Sequence, residues 1–140
     1  PPSNVWIGTS IEDQKRADER IPKLLSIPAR VRFLSVEPML EAIDLAMPHT
    51  GHGPPYIDWC IFGGESGPGA RSCDIEWIRD GVRQCRNSGV RPFVKQLGSN
   101  PCSIPVDCGD GSRTGTLRDK KGGDLTEWPQ DLRVREFPND

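Results

Sequence analysis

No apolar run in the chain approaches the roughly 20 residues that a membrane-spanning helix requires, and its start does not read as a signal peptide. Neither a membrane protein nor a membrane partner is expected. Charge of one sign is also missing. The 18 basic and 20 acidic residues give a formal net charge of −2, so there is no general drive toward nucleic acid or an anionic surface, although a local basic patch stays open. Only His49 and His52 could supply imidazole. Their H-x-x-H lies among Pro and Gly, where an exposed loop is the default and a metal site the weaker reading. The five cysteines are odd in number and their spacing fits neither a zinc site nor a disulfide framework. Arg118-Asp119-Lys120-Lys121 reads as a solvated loop.

What is present describes one domain. At 140 residues with 34% hydrophobic content the chain can bury a real core, and its 14 Pro and 15 Gly make much of it loop. Cys60 lies in an apolar run and Cys85 on an apolar helix face, where a thiol acts as a small hydrophobe. Reduced thiols fit a cytoplasmic location, while Cys102 and Cys108 leave one bridge open within a Gly/Pro-rich loop. Pro1-Pro2-Ser3-Asn4 lead almost at once into a strand without an initiator Met, which points to a fragment boundary.

Four short apolar runs read as strands: 5–10, 31–36, 56–62 and 91–96. Helical spacing of Ala17, Ile21, Leu24 and Leu25 lies between the first two. Pro22 splits that helix into two pieces, opening the second. A second helix is bounded by Asp74 as N-cap and Gly89 as stop, with Ile75, Ile78, Val82 and Cys85 inward. Trp6, Trp59 and Trp77 fall in these elements, with core packing as their first explanation. Strands that are apolar along their length and alternate with helices imply a parallel sheet. The expected fold is therefore α/β, a parallel four-stranded partial β/α barrel (a TIM-like half-barrel) over residues 1–98. Residues 99–140 form an irregular loop and tail, pinned by Trp128, Leu132, Val134 and Phe137. A closed barrel usually takes about 250 residues, so either an N-terminal half is missing or a smaller open sheet stands alone. The first is preferred.

Parallel α/β folds bind ligands where their strands end. Ser10 ends the first strand, Ser35 and Glu37 the second, Glu65 and Ser66 the third, Lys95 and Gln96 the fourth. Two carboxylates and a lysine suit proton transfer, binding of a substrate amine or hydroxyl, or metal ligation; the bland alternative is salt bridges along a rim. Glu37, Glu65 and Lys95 are the catalytic candidates, and Ser10, Ser35, Gly63, Gly64, Ser66, Arg71 and Gln96 the binding candidates. The Gly63–Arg71 turn matches neither the dinucleotide nor the P-loop spacing. Glu65 within it would repel phosphate unless Arg71 intervened, so close backbone approach to an organic substrate fits better.

The stretches Asn4-Val5-Trp6-Ile7-Gly8-Thr9-Ser10, Arg32-Phe33-Leu34-Ser35-Val36-Glu37-Pro38 and Gly63-Gly64-Glu65-Ser66-Gly67-Pro68-Gly69-Ala70-Arg71 resemble one family, as do Lys95-Gln96 and the ending from Gly122 to Pro138. It is the three-cysteine-motif phage proteins, found in phages and bacteria, and the similarity runs over nearly the whole chain. The resemblance implies a radical S-adenosylmethionine-like barrel whose three clustered cysteines lie upstream of Pro1. This chain would then hold no cofactor itself, with S-adenosylmethionine and a four-iron cluster belonging to the full-length parent. The Gly63-Gly64-Glu65 triplet looks like the one such enzymes use for the methionine amine, but it follows a late strand, so that role is not carried over. Two other readings stand beside the enzyme: a non-catalytic phage or mobile-element binding module, and a metal- or phosphate-dependent hydrolase using Glu37 and Glu65. The partner is the missing N-terminal half or, through open sheet edges, a second copy; the substrate, small or macromolecular, is not specified by the residues.

Overall fold

In a computed structural model that describes residues 2–47, 56–104 and 117–139, four strands build the main sheet: β1 (Trp6–Ser10), β2 (Val31–Val36), β3 (Trp59–Gly63) and β5 (Arg91–Gln96). All three pairings are parallel, in the order β1-β2-β3-β5. Two short strands, β4 (Cys73–Asp74) and β6 (Pro101–Cys102), form a separate parallel pair that the sequence pattern does not announce.

The helices are α1 (Gln14–Leu25) and α2 (Ile75–Ser88). Asp13 caps α1 by accepting the Arg16 amide at 2.8 Å. Asp74 caps α2 through the Glu76 amide at 3.0 Å, and Gly89 ends α2 at φ 75°, a left-handed turn that a Cβ would disfavour. The expected break at Pro22 does not occur, and α1 is one helix. Pro22 lies in its last turn, so the missing N–H removes a single helical bond near the end. Ile21 and Leu24, buried on the sheet, hold the last turn in place.

Alternation along the strands divides the sheet into two unlike faces. Leu34, Val36, Cys60, Phe62 and Val94 are fully buried against the helices. Gly81 of α2 allows the closest approach there, since a Cβ on it would lie 2.4 Å from the Phe62 ring. On the opposite face Phe33, Trp59, Ile61 and Phe93 are only half-buried. Trp59 meets Trp6, Phe33, Phe93 and Phe137 with ring centroids 5.3–6.0 Å apart. Trp6 and Trp59 therefore belong to an aromatic row on the open face rather than to the helix-covered core.

The tail runs antiparallel along the outer edge of β5. The Val94 amide donates to Val134 O at 2.8 Å, and the Glu136 amide to Pro92 O at 3.0 Å. Trp128 and Leu132 are buried and anchor it, whereas Phe137 is 58% exposed. The outer edge of β1 has no strand beside it among the described residues. No helix among the described residues is long and apolar enough to cross a membrane.

Candidate functional site

The carboxyl ends of the strands are stitched together by the backbone. The Ile11 amide donates to Ser35 O at 2.9 Å, Met39 to Gly63 O at 2.9 Å, and Leu40 to Glu12 O at 3.1 Å. On this frame Glu37, just past β2, and Lys95, near the end of β5, meet across β3. Lys95 Nζ lies 3.0 Å from Glu37 Oε1, and Ser35 Oγ donates to the same oxygen at 3.3 Å. The Glu37 side chain is 19% exposed and that of Lys95 57%, so the pair opens to solvent on the lysine side.

A register shift between Phe62 and Gly63 pairs Gly63 with Gln96. Consecutive strand residues ordinarily point to opposite faces, and the irregularity lets both Lys95 and Gln96 reach the Glu37 corner. Gln96 Nε2 donates to Gly64 O at 2.5 Å. A Cβ on Gly63 would sit 2.8 Å from Gln96 Nε2 and 2.9 Å from Glu37 Oε2, so only glycine lets these two side chains converge over the strand end. Ser10 is in register with Ser35 and exposed beside it. Gln96 Oε1 is buried and has no hydrogen-bond partner, an unusual state for a buried carbonyl.

The second carboxylate stands apart from this corner. Glu65 takes the Arg71 guanidinium in a two-pronged pair at 2.8 and 2.9 Å, together with the Arg71 amide at 2.8 Å. These hydrogen bonds lower its pKa to about 2 and brace the loop between β3 and β4. Ser66 is exposed in the same loop. Gly64 allows contact with β5, since a Cβ there would lie 2.5 Å from Leu97 O. Ser99 ties the loop to the tail: the Gly67 amide donates to its Oγ at 2.9 Å, and that hydroxyl donates to Lys120 O at 2.6 Å. Of the three catalytic candidates, then, Glu37 and Lys95 form the corner and Glu65 engages Arg71. The Ser99 latch and the register shift went unforeseen in the sequence, because neither leaves a periodic signal.

The described cysteines do not come together as a cluster site. Cys60, Cys73, Cys85 and Cys102 are free, and among the described residues no three His, Cys, Asp or Glu side chains come together as metal donors. Burial pushes the Cys73 thiol up to about 12 and Cys60 well above its ordinary value. Cys108, with the bridge it might make to Cys102, and the His49–His52 pair lie outside the described residues.

Residues 1–125 match a family described as Protein of unknown function (DUF5131). The chain belongs to that family. No curated protein and no solved structure matches it. Family membership covers the sheet, both helices and the Glu37–Lys95 corner, but the antiparallel segment along β5 lies past the matched residues.

Proposed function

We propose that the chain is the carboxyl-terminal part of a β/α-barrel enzyme whose site is the corner formed by Glu37, Lys95, Ser35 and Gln96. One observation carries this reading: the 3.0 Å Glu37–Lys95 pair at the carboxyl edge of a parallel sheet wound in one direction. Barrel enzymes gather their reacting groups at that edge. A strand order without reversal also places the helices on one face, as in a barrel, and leaves the other face to become an interior. Glu37 is suited to accept or return a proton, with Lys95 stabilising charge that develops on the substrate. Ser10, Ser35 and Gln96 orient the substrate, and the Glu65–Arg71 brace fixes the loop beside it.

The motif resemblance supports a finer reading, in which a longer parent is a radical S-adenosylmethionine-like phage protein acting in the cytoplasm. Any iron–sulfur cluster there would be held by cysteines other than those described. Oxygen-free purification of a longer parent tests this reading. It predicts bound iron in the amount of a four-iron cluster and release of 5′-deoxyadenosine from S-adenosylmethionine under reduction; iron-free protein that leaves S-adenosylmethionine intact would rule it out.

The site itself is tested by a fragment screen on the ¹⁵N-labelled chain. Fragments should move the backbone amides of Ser35, Glu37, Lys95 and Gln96. Hits confined to other surfaces would sink the assignment.

One observation favours a second reading, a binding module. Beside the unpaired edge of β1 runs a groove of about 270 Å³ lined by Ile7, Gly8, Thr9, Leu24 and Ile27 among others. An open edge flanked by apolar surface invites another strand and helix. Sedimentation separates the two cases: a stable monomer speaks for a self-sufficient module, and concentration-dependent association for a part that needs a partner or a missing half.

A further inference from the structure

The hydrogen-bonding capacity left over at the Glu37 corner has a definite pattern. Glu37 Oε1 is taken by Lys95 and Ser35, while Oε2 accepts nothing from the described residues. Gln96 Nε2 gives one N–H to Gly64 O and keeps the other, and Lys95 keeps two of its three. Glu37 Oε2 and Gln96 Nε2 both lie within 2.9 Å of the place a Cβ on Gly63 would take. The two atoms are therefore close neighbours over the strand end, near enough for one ligand edge to address both. The corner thus offers an acceptor beside donors, and the Glu37–Lys95 pair is neutral overall. An ammonium ligand would meet Lys95 and a carboxylate would meet Glu37, so a neutral donor–acceptor edge is the better match.

The surroundings favour a flat ligand. Ser10 and Ser35 are adjacent small residues in register and leave a low floor at the ends of β1 and β2. The Phe33 ring lies over Gly8, whose Cβ would be 2.4 Å from it, and Ile61 is the register partner of Ser35 on the other side. A planar ring resting on this floor keeps its edge toward Glu37 and Gln96 and its face or rim against Phe33.

We propose that the corner takes the lactam edge of a planar heterocycle, of the uracil or guanine type, with the ring N–H donated to Glu37 and the adjacent carbonyl accepting from Gln96 and Lys95. The inference rests on the reading of this corner as the binding site.

Uridine, guanosine and nicotinamide are the probes, with N3-methyluridine as the control that lacks the ring donor. Each is titrated into the ¹⁵N-labelled chain while the Gln96 side-chain amide and the Lys95 backbone amide are followed. Uridine and guanosine should shift both signals saturably. N3-methyluridine should bind at least about tenfold more weakly, because a donor to a charged acceptor is lost. Nicotinamide separates a ring lactam from a simple carboxamide, and binding as tight as that of uridine would overturn the ring requirement. Gln96→Leu should weaken uridine binding, and so should Gly63→Ala, which drives a methyl between Glu37 and Gln96. Gln96→Leu alone decides the matter if Gly63→Ala unfolds. Equal binding of uridine and N3-methyluridine would overturn the proposal, as would uridine binding unchanged in Gln96→Leu. If other fragments occupy the corner and no lactam does, the ligand class falls and the site reading stands. If nothing of any class reaches the corner, both fall.

Discussion

The two faces of the sheet are made by the same strands, often by adjacent residues, and they have opposite fates. Phe62 is fully buried beneath α2, close enough to Gly81 that no side chain fits between them. Its neighbour Ile61 points to the bare side and remains half-buried. On the covered face β2, β3 and β5 carry only apolar side chains in the row of Leu34, Cys60 and Pro92 and the row of Val36, Phe62 and Val94. On the bare face aromatic residues give way, toward the strand ends, to Ser10, Ser35, Glu37 and Lys95. Helix cover maximises apolar burial; a face without it can carry a polar corner, because the groups there need no burial partner.

Substitution at adjacent positions probes this contrast most directly. Phe62→Ala should destabilise the fold by about 3–5 kcal/mol, through lost burial and the cavity left under α2. Ile61→Ala should cost less, about 1–2 kcal/mol, since no helix packs over that side chain and its truncation leaves no enclosed cavity. Urea unfolding of both variants provides the measurement, and similar losses at the two positions would erase the distinction between the faces.

Thiol chemistry sharpens the contrast next. Cys60 and Cys85 lie on the covered side, Cys73 is buried in the small sheet, and Cys102 is exposed. Among these four, iodoacetamide at neutral pH should modify Cys102 first. Cys60 and Cys73, buried and with raised thiol pKa values, should resist until denaturant is added. Peptide mass mapping reads the order, and early labelling of Cys60 would mean that α2 opens readily.

The smallest expected effect concerns the Glu65 carboxylate. Glu65 should titrate at about 2, held down by its hydrogen bonds from Arg71. A folded-state pKa below the usual 4.5 means that its contribution to stability is complete above about 4.5 and is lost as pH falls toward 2. In Arg71→Met the midpoint should rise into the ordinary carboxylate range, as side-chain ¹³C NMR would show. Because the pair is exposed, global stability at neutral pH should barely change. An unmoved midpoint would break the assignment of Glu65 to the loop brace.

Much of the architecture was legible from residue order. The run 31–36 became β2 and 91–96 became β5 as expected. Asp74 and Gly89 bound α2, and Ile75, Ile78, Val82 and Cys85 all face inward. These signals are local, carried by period and capping. Pro22 misled because a local helix breaker was outweighed by burial of the residues around it. Tyr56 to Asp58 read as strand yet precede β3, because an apolar run does not mark where pairing begins. The site was legible only as a list: Glu37, Glu65 and Lys95 looked equivalent from their places at strand ends.

Sequence alone determined that the strands would run parallel, that a helix would join β1 to β2 and another lead into β5, and that polar residues would stand at the strands' carboxyl ends, since those properties follow from spacing between neighbours. Among the described residues no helix joins β2 to β3. The tertiary structure decided which of the polar residues meet. Glu37 and Lys95 are 58 residues apart in the chain and come within 3.0 Å because β3 lies between their strands and Gly63 leaves room above it. Glu65, only six residues from Arg71, found its partner inside its own loop. A charge at a strand end is committed by whatever oppositely charged group the fold brings nearest, and that distance is a property of the packed chain.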